Sequence, residues 1–453
     1  MPCDVFRRAG VRVMVLVSAL VLGASPACGA EQALPVGSQW GQWRGPLGTG
    51  AAVRGDLPVT WGEGHNVRWK TPLPGRGLST PVIWGDRIFV TTAIAHGERL
   101  PVNHPDAPGA HDNVPALRAE KFTVIALDRD SGQVVWQRTV RDARPHEGTH
   151  ATGSWASNSA ITDGERVYAF FGSEGLFALD MDGRLLWQVD PGDMQTLHGH
   201  GEGSSPALHG DTLVINWDHQ GQSFVVALDR RTGKQRWKVK RDEVTSWSTP
   251  LIVDNDGRAQ VIISATGRVR SYDLATGALI WECAGLSRNV VASPVAADGV
   301  VYVASSYDYQ AMMAIRLAGA RGDVTGTDAV IWTRHRDTPY VPSPVLDGGT
   351  LCFLKHLSGI LTCVDAATGK TLAGPMRLPG VQNVFASPVS AAGRVYIVGR
   401  NGVAVVVGRG GKFPVLAVNR LDDSFSASPA VVGKSLYLRG DHHLYRIAAE
   451  PGP

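Results

Sequence analysis

Short apolar runs separated by glycine and aspartate turns make up most of the chain after about residue 66. In one unit, Ser204–Ala207 leads through a Gly-Asp turn into Thr212–Ile215, and a further apolar run ends in Ala227–Asp229. A Thr-Gly pair then precedes a run that contains Trp237. Short runs rich in β-branched residues and bounded by turn residues predict β-strands rather than helices. Each unit is therefore expected to supply four short antiparallel strands.

A Ser/Thr opening, followed in most units by Pro, recurs along the chain and predicts the number of units. Successive openings lie 41–50 residues apart, except for a first step of 78 residues that contains an insertion between Thr92 and Lys121. Such a period is typical of one propeller blade. The sequence therefore predicts an all-β, eight-bladed β-propeller over residues 66–450, after an N-terminal extension over residues 31–65. The blades are expected to start near residues 80, 158, 205, 249, 293, 343, 387 and 428.

A recurring turn near the end of each unit predicts structural tryptophans. Asp ends one strand, Gly follows in the turn and Trp lies on the next strand, as in Asp229, Gly233 and Trp237. Asp accepts hydrogen bonds from turn N–H groups, and Gly adopts the positive φ that a short hairpin needs. Trp on an outer strand is expected to cover the gap to the next blade. The tryptophans given this packing role are Trp69, Trp136, Trp187, Trp237, Trp281 and Trp332.

The two ends of the repeat region are expected to share one blade. The last unit stops after Leu444–Ile447, with no tryptophan strand after it. Asn66–Lys70 has the pattern of that missing strand and has no preceding strands of its own. The N-terminal strand is therefore predicted to complete the eighth blade, which hides an edge that would otherwise be open.

The Ala-x-Asp-x-x-Thr-Gly-x-x-x-Trp element resembles the tryptophan-docking motif of the quinoprotein propeller superfamily. That superfamily contains dehydrogenases that use pyrroloquinoline quinone (PQQ) and the non-catalytic lipoprotein BamB of outer-membrane barrel assembly. The resemblance covers Trp40 to Ile447, and Trp40–Pro46 is also similar to a set of exported bacterial PQQ-like repeat proteins. It implies the propeller fold and leaves the activity open.

The chain departs from the catalytic branch of that superfamily. Those enzymes have a vicinal cysteine pair beside the quinone and a calcium site built from carboxylates and an asparagine. This sequence has no Cys-Cys pair, and no Glu, Asn and Asp set matches theirs. No catalytic residue is therefore carried over and no cofactor is assigned, with PQQ or a divalent metal left open. A non-enzymatic role is favoured over an oxidoreductase.

The first thirty residues have the features of an export signal. Three arginines flank an apolar run from Val13 to Leu22, and small residues follow up to Ala30. The run is too short for a stable transmembrane span, so a periplasmic or secreted protein is expected. Cys28 leaves a lipoprotein as the alternative.

Charge argues against one class of partner. The chain has 44 basic and 41 acidic residues, and removal of residues 1–30 leaves 41 basic and 40 acidic ones. This near balance argues against a nucleic-acid or anionic-membrane partner. A monomer that binds an unknown protein or a polar small molecule is expected.

Three cysteines lie outside the predicted signal, at positions 283, 352 and 363. A hairpin that turns near residues 356–359 sets Cys352 and Cys363 on neighbouring strands. In an oxidising compartment these two either form a disulfide or remain two small buried residues.

Loop type places most histidines on one face of the predicted ring. Loops between blades and loops between second and third strands share a face, which in propellers usually binds partners. Twelve of the fourteen histidines fall in such loops, and only His65 and His209 belong to the opposite face. The candidate ligand or partner face comprises His146, His150, Trp155, His198, His200, Glu202, Asp218, His219, Trp247, Arg288, Asn289, Lys355, Gln382, Asn383, Arg400 and Asn401.

The most suggestive cluster on this face is His198-Gly-His200-Gly-Glu202. Alternate residues of an extended segment point the same way, so these three side chains are weak candidates for zinc or copper ligands, together with His146 or His150. An exposed Gly-rich polar loop explains the same residues equally simply, so no metal site is assigned.

Three functions follow from these observations. The leading hypothesis is an exported binding or scaffold module that uses the histidine-rich face and the central funnel. The first alternative is a PQQ- or metal-dependent oxidoreductase of the alcohol or sugar dehydrogenase type. The second alternative is a BamB-like factor in outer-membrane protein assembly, which would pair with extended segments of its partner.

Overall fold

The computed structural model describes residues 38–450, apart from residue 105, so the predicted signal and Cys28 lie outside the described residues. Eight blades of four antiparallel strands follow one another, and in blades 1 to 7 the four strands run in chain order from the inside of the ring outwards. A short fifth strand, Gly322–Asp323, is added in parallel to the outer edge of blade 4. The predicted eight-bladed propeller is confirmed. The helices in the described part are two short 3₁₀ turns, Gly172–Glu174 and Leu197–Gly199. Neither is long enough or apolar enough to cross a membrane.

The strands of blades 1 and 2 are Val82–Trp84, Arg87–His96, Ala119–Asp128, Val134–Ala143, Ile161–Thr162, Arg166–Phe170, Leu176–Asp180 and Leu185–Val189. Those of blades 3 and 4 are Ala207–His209, Thr212–Trp217, Phe224–Asp229, Gln235–Lys240, Leu251–Asn255, Arg258–Ser264, Arg268–Asp273 and Leu279–Ala284. Those of blades 5 and 6 are Val295–Ala297, Val300–Ser305, Ala311–Arg316, Val330–Arg334, Val345–Asp347, Thr350–Leu354, Ile360–Asp365 and Thr371–Arg377. Blades 7 and 8 contain Val389–Ala391, Arg394–Val398, Val403–Gly408, Val415–Arg420, Ala430–Val432, Ser435–Arg439, His443–Ile447 and Val67–Pro72. A two-residue ladder pairs Asn113–Val114 with Thr149–His150.

The predicted ring closure is confirmed. Val67–Pro72 runs antiparallel to His443–Ile447, with Lys70 opposite Tyr445 and Thr71 opposite Leu444. The outer strand of blade 8 therefore comes from the N-terminal side of the chain. This leaves the eighth blade with the same four-stranded sheet as its neighbours.

Outer-strand tryptophans dock on the glycine of the next blade's closing turn. Trp237 of blade 3 lies against Gly277 of blade 4, where a Cβ atom would approach the indole ring to 2.8 Å. Its Nε1 donates a hydrogen bond to the carbonyl of Leu274 at 2.8 Å. Gly277 has φ 76°, so the position needs glycine for both its backbone conformation and its contact. The same stacking on a glycine and bond to a carbonyl occur at Trp69, Trp136, Trp187 and Trp332.

Trp281 departs from this pattern. Its Nε1 donates to Gln260 of its own blade at 3.2 Å, and the residue is fully buried. Gly322–Asp323 of the next unit pairs in parallel with the strand of Trp281 and covers it. The expectation that all six tryptophans are mostly buried holds for Trp237 and Trp281, whereas Trp69, Trp136, Trp187 and Trp332 are half-buried.

Cys352 and Cys363 form a disulfide between the second and third strands of blade 6. Cys283 is free and buried. Of the two alternatives that the sequence leaves open, the structure has the disulfide.

Candidate functional site

The Ser/Thr openings form a ring of hydrogen bonds around the propeller axis. In seven of the eight blade-to-blade steps, the backbone N–H of one opening residue donates to the hydroxyl of the next at 2.8–3.0 Å, as in Ser159 to Ser205 and Ser205 to Thr249. The eighth step, between blades 8 and 1, is different. There Ser428 accepts a hydrogen bond from Trp43 Nε1 at 3.2 Å. The recurring hydroxyl is therefore a link between blades as well as a polar lining of the axis.

The N-terminal extension closes one end of the axis. Trp40 forms a backbone bridge with Ile83 in the inner strand of blade 1, and Ala51 forms one with Ser390 in blade 7. The backbone of Thr49 accepts from Leu346 N–H in blade 6. These inner-strand positions lie towards the face opposite the histidine-rich loops. The segment therefore forms a floor, with Trp43 as a lining residue of the space above it.

Arg44 anchors this floor in the middle of the ring. Its Nη2 donates to the carbonyls of Pro344 at 2.7 Å and Pro388 at 3.1 Å, on two successive blades. The side chain has no carboxylate partner among the described residues, and burial lowers the pKa of Arg44 to about 9. Sequence reasoning noted the Trp40–Pro46 motif as a similarity but missed its role, because only the closed ring brings blades 6 and 7 over it.

Above the floor lies a funnel of about 390 Å³ that opens towards the histidine-rich face. Its aromatic lining residues are Trp43, Trp247, Tyr307, Tyr340 and Phe385. Its hydroxyl-bearing lining residues are Thr152, Ser157, Ser159, Ser205, Thr249, Tyr307, Tyr340, Ser387, Ser426 and Ser428. Trp247 Nε1 is held by the carbonyl of Gly201 at 2.7 Å. The ring of Tyr340 packs against those of Tyr307 and His356, with centroids 5.7 Å and 4.8 Å apart.

Three buried polar atoms of funnel residues have no hydrogen-bond partner among the described residues. They are His200 Nε2, Asn289 Oδ1 and Ser426 Oγ, from three different connections between blades. Asn289 is 3 % exposed and adopts φ 53°. These atoms are closed off from solvent, and a buried polar atom without a partner costs roughly 1–3 kcal/mol.

Four imidazoles pack together at the rim of the funnel. Ring centroids lie 4.7 Å apart for His150 and His200, 4.8 Å for His111 and His200, and 5.2 Å for His111 and His198. The insertion of blade 1 brings in His111, because Asn113 pairs with His150 and donates to the carbonyl of His198. Burial in the first place, and the neighbouring imidazoles in the second, lower the pKa of His200 to about 4. Loop type assigned His111 to this face as one of the twelve histidines, but His111 was not among the candidate site residues.

The predicted trio of His198, His200 and Glu202 does not converge. Leu197–Gly199 is a 3₁₀ turn in which His198 has φ 60°, so side chains do not alternate as they do in an extended strand. Glu202 turns away and accepts from Ser173 N at 2.8 Å and Ser173 Oγ at 2.5 Å. Its ligating atoms instead lie within 4.8 Å of those of His146 and Glu147. Trp155 Nε1 donates to the carbonyl of Glu147 at 3.1 Å, at the edge of the same cluster.

Two further candidate residues are part of the wall of blade 3. Asp218 forms an ion pair with Arg241 at 2.8 Å, and both side chains are fully buried. His219 is 8 % exposed and its Nδ1 accepts from Gln195 N–H at 3.1 Å. Neither residue lines the funnel, so both are placed to stabilise the loops beside it.

The remaining candidates lie on the loops of blades 4 to 7. Arg288 pairs with Asp308 at 2.6 Å and Lys355 with Asp337 at 3.1 Å. The others form local contacts. The backbone N–H of Gln382 donates to Asn401 Oδ1, and Asn401 Nδ2 donates to the carbonyl of Gly380. The carbonyl of Asn383 accepts from Arg400 N–H, and the Arg400 guanidinium lies over Phe385. Five of the sixteen candidate residues line the funnel: His150, His200, Glu202, Trp247 and Asn289.

The family model described as outer membrane protein assembly factor BamB, a PQQ-type repeat model, matches residues 51–215 and 221–452. The chain belongs to this family. BamB of Yersinia pestis is 24% identical over 314 residues, which cover 65% of this chain and 68% of that protein. Subunit 1 of methanol dehydrogenase (cytochrome c) from Methylobacterium organophilum is 28% identical over 145 residues. That match spans only 27% of this chain and 22% of the subunit.

A solved quinohemoprotein alcohol dehydrogenase from Comamonas testosteroni shares the fold of this BamB-family chain. The TM-score is 0.63, at 10% identity, over 92% of this chain and 81% of the dehydrogenase. At this identity the likeness concerns the fold alone.

The funnel of this BamB-family chain does not fit PQQ, which is an aromatic quinone with several carboxylates. No lysine or arginine lines the described funnel, and Glu202, its one carboxylate, accepts hydrogen bonds from Ser173. Charged ligand groups that leave water need a partner of opposite charge. The Cys352–Cys363 disulfide lies within blade 6 and does not line the funnel. We therefore derive no quinone-dependent step for these residues.

Proposed function

We propose that this chain is a non-enzymatic binding module that holds a small, uncharged, hydroxyl-rich molecule in its funnel. The observation that carries the proposal is the lining of a cavity closed at its floor, which combines aromatic rings such as that of Trp247 with hydroxyl groups such as those of Thr152 and Ser157. Small-molecule sites are typically concave and mostly apolar, with a few polar groups that fix the orientation of the ligand. A volume of about 390 Å³ lies at the lower end of their range of roughly 300–1,000 Å³.

The chemistry of the lining favours a neutral ligand of the saccharide type. Aromatic faces such as that of Trp247 pack against the C–H faces of a sugar ring, while Ser and Asn side chains pair with its hydroxyls. No lysine or arginine is present to neutralise an anion, and burial lowers the pKa of His200 to about 4, so this imidazole is neutral at pH 7. The lining therefore supports an uncharged polar ligand over an anionic one.

Thermal-shift and calorimetric titration with a panel of neutral mono- and disaccharides, and with carboxylated sugars of matched size, tests this proposal. At least one neutral sugar should stabilise the protein, and Trp247→Ala should abolish the effect. Tyr340→Phe removes a hydroxyl in the funnel, whereas Tyr309→Phe removes one outside it and serves as the matched control. If carboxylated sugars or added PQQ bind and neutral sugars do not, the proposal is wrong.

A second candidate function is a scaffold for outer-membrane protein assembly, which the family match favours. In that case the partner is a protein, and its contacts lie on the exposed loops rather than deep in the funnel. Chemical cross-linking in cells separates the two proposals. A protein partner that is lost in Arg288→Ala or Lys355→Ala variants but retained in Trp247→Ala would favour the scaffold and argue against the funnel ligand.

A further inference from the structure

A small cavity beside the funnel is lined by ionisable side chains from separate loops. It measures about 20 Å³, and its lining includes His146 and Glu147 from the connection between blades 1 and 2, and Glu202 from the next connection. One nitrogen or oxygen atom from each of these three residues lies within 4.8 Å of those of the other two. A space of this size holds one water molecule or one ion.

Each of these three side chains is oriented by a neighbour. His146 Nε2 lies 2.6 Å from the carbonyl of Met194, so Nε2 carries the ring proton and Nδ1 keeps its lone pair. Thr196 Oγ1 donates to Glu147 Oε1 at 2.6 Å, and Ser173 Oγ donates to Glu202 Oε1 at 2.5 Å. Metal-binding imidazoles and carboxylates are typically held by outer hydrogen bonds of this kind.

The backbone is also shaped around Glu202. Gly172 has φ 59°, and a Cβ atom there would lie 1.2 Å from Glu202 Oε2. Ser173, the next residue, receives a hydrogen bond from Met194 N–H at 2.7 Å. The same Met194 accepts from His146, so one segment fixes both the imidazole and the carboxylate. The arrangement is therefore interlocked rather than a set of independent surface groups.

Two carboxylates share this site with little positive charge around them. Glu174, a third acidic residue on the cavity wall, is paired with Arg141 at 3.6 Å, whereas the carboxylates of Glu147 and Glu202 accept hydrogen bonds from the uncharged hydroxyls of Thr196 and Ser173. A divalent cation would offset the unfavourable burial of two negative charges.

We propose that His146, Glu147 and Glu202 form a binding site for a divalent first-row transition ion, with Zn²⁺ preferred. One imidazole and two carboxylates make a three-ligand set that leaves one tetrahedral position open. Zn²⁺ ranks above Mn²⁺ and Fe²⁺ in affinity for mixed nitrogen and oxygen ligands, whereas Ca²⁺ needs six to eight oxygens. The site is independent of the proposed funnel ligand, although Glu202 lies between the two cavities.

Zinc titration of the EDTA-treated full chain, by calorimetry and elemental mass spectrometry, tests the site. One Zn²⁺ per chain is expected, with an affinity reduced by at least about 100-fold in both His146→Ala and Glu202→Gln. The matched control is the double variant His198→Ala and His200→Ala, which removes two imidazoles of the neighbouring cluster and should keep the zinc. Ser173→Ala, which removes the hydroxyl that donates to Glu202 and accepts from Met194 N–H but removes no ligand atom, should weaken binding about 10- to 100-fold.

Cobalt substitution gives a second measurement, because Co²⁺ bound to nitrogen and oxygen ligands absorbs visible light. The bands should vanish in His146→Ala and persist in the control. Circular-dichroism melting checks that each variant is folded, and if Glu202→Gln is not, His146→Ala alone decides. Absence of zinc binding by the parent chain overturns the proposal. Zinc that is lost from the control but retained by His146→Ala would also overturn it and assign the metal to the four-histidine cluster.

Discussion

A hydroxyl group before each inner strand joins neighbouring blades. In the sequence, the recurring Ser or Thr marks only the period of the repeat; in the structure, its side chain accepts the backbone N–H of the preceding blade. Serine and threonine are both small enough for the crowded axis, and both have a hydroxyl oxygen that accepts a hydrogen bond. This explains why either residue type occurs at this position. Propensity could predict the strands but not this contact, because the bond joins residues about one blade apart.

Ser205→Ala should therefore weaken the joint between blades 2 and 3. The N–H of Ser159, which now donates to Ser205 Oγ at 2.9 Å, would remain buried without an acceptor. An unsatisfied buried donor costs about 1–3 kcal/mol, and the urea midpoint should fall accordingly. Ser205→Thr keeps the hydroxyl, as Thr249 does in the next blade, and should unfold close to the parent. Equal midpoints for the two variants would rule out this role.

His219 supplies a pH-dependent contribution to stability. Burial lowers its pKa in the folded state, and its Nδ1 accepts from Gln195 N–H, so the folded chain holds the neutral ring. Unfolded histidine titrates near pH 6.5, and below that pH the unfolded state binds the additional proton. Stability is therefore lost as the pH falls through this region. The opposing effect of Asp218 on this pKa is smaller than that of burial.

The drop in melting temperature between pH 7 and pH 5 should accordingly be smaller in His219→Gln than in the parent. His209→Gln changes an exposed histidine on the opposite face and should leave the drop unchanged. If both variants show the full drop, other groups cause the acid sensitivity.

Glu202 shows where residue-level prediction from sequence fails. The expectation that it joins His198 and His200 assumed an extended segment, but the chain forms a 3₁₀ turn there. Its actual partners, Ser173 and Glu147, lie 29 and 55 positions away in the chain. Local patterns contain no information about such distant contacts, so the sequence could identify the loops of the site but not their pairing.

Among structural elements, the outer strand and the closing turn of the next blade act as a pair. The sequence motif contains both a Gly and a Trp in one unit, which suggests that the two residues act within the same blade. The structure shows that Trp237 of one blade meets Gly277 of the next. The fold was predictable because most units repeat the pattern. Trp281 differs because the next blade, blade 5, has a long loop in place of the short closing turn.

Trp237→Ala should cost about 3–5 kcal/mol, the usual range for a large aromatic residue lost from a packed site. The variant loses the stacking on Gly277 and the hydrogen bond to Leu274. Trp84→Ala, in the inner strand of blade 1 and only half-buried, is the comparison and should cost less. Chemical denaturation followed by circular dichroism measures both. A neutral effect of Trp237→Ala on stability would contradict the packing role.

At the scale of the whole molecule, the first described part of the chain joins the ring in two places. The N-terminal segment first forms the floor of the funnel and then supplies the outer strand of blade 8. The pairing of this strand was predictable from the sequence. The last unit lacks its outer strand, and the N-terminal strand has no other strands of its own to pair with. The floor was not predictable, because its contacts reach blades 1, 6 and 7 and have no repeat to mark them.

Ring closure should make blade 8 unusually sensitive to damage in its outer strand. Proline at both Lys70 and Thr71 removes two successive N–H groups, at least one of which faces Tyr445 or Leu444 on the partner strand. The control is the double variant Leu416→Pro and Ala417→Pro, which damages the corresponding outer strand of blade 7. There the chain continues into blade 8, so the ring remains joined by a covalent connection. In blade 8 the outer strand, Val67–Pro72, is itself what joins blade 8 to blade 1. It pairs with His443–Ile447, and its Trp69 docks on Gly132 of blade 1.

The closure variant should therefore lose more thermal stability than the blade 7 variant. It should also form concentration-dependent aggregates, because the freed strand of His443–Ile447 presents an unpaired edge. Differential scanning calorimetry and light scattering coupled to size-exclusion chromatography measure the two effects. The blade 7 variant also exposes a strand edge. Any larger effect in the closure variant is therefore expected to come from the opening of the ring. If both variants melt and aggregate alike, the N-terminal strand is an ordinary outer strand, and the ring is held by the inner hydrogen-bond circle and the floor.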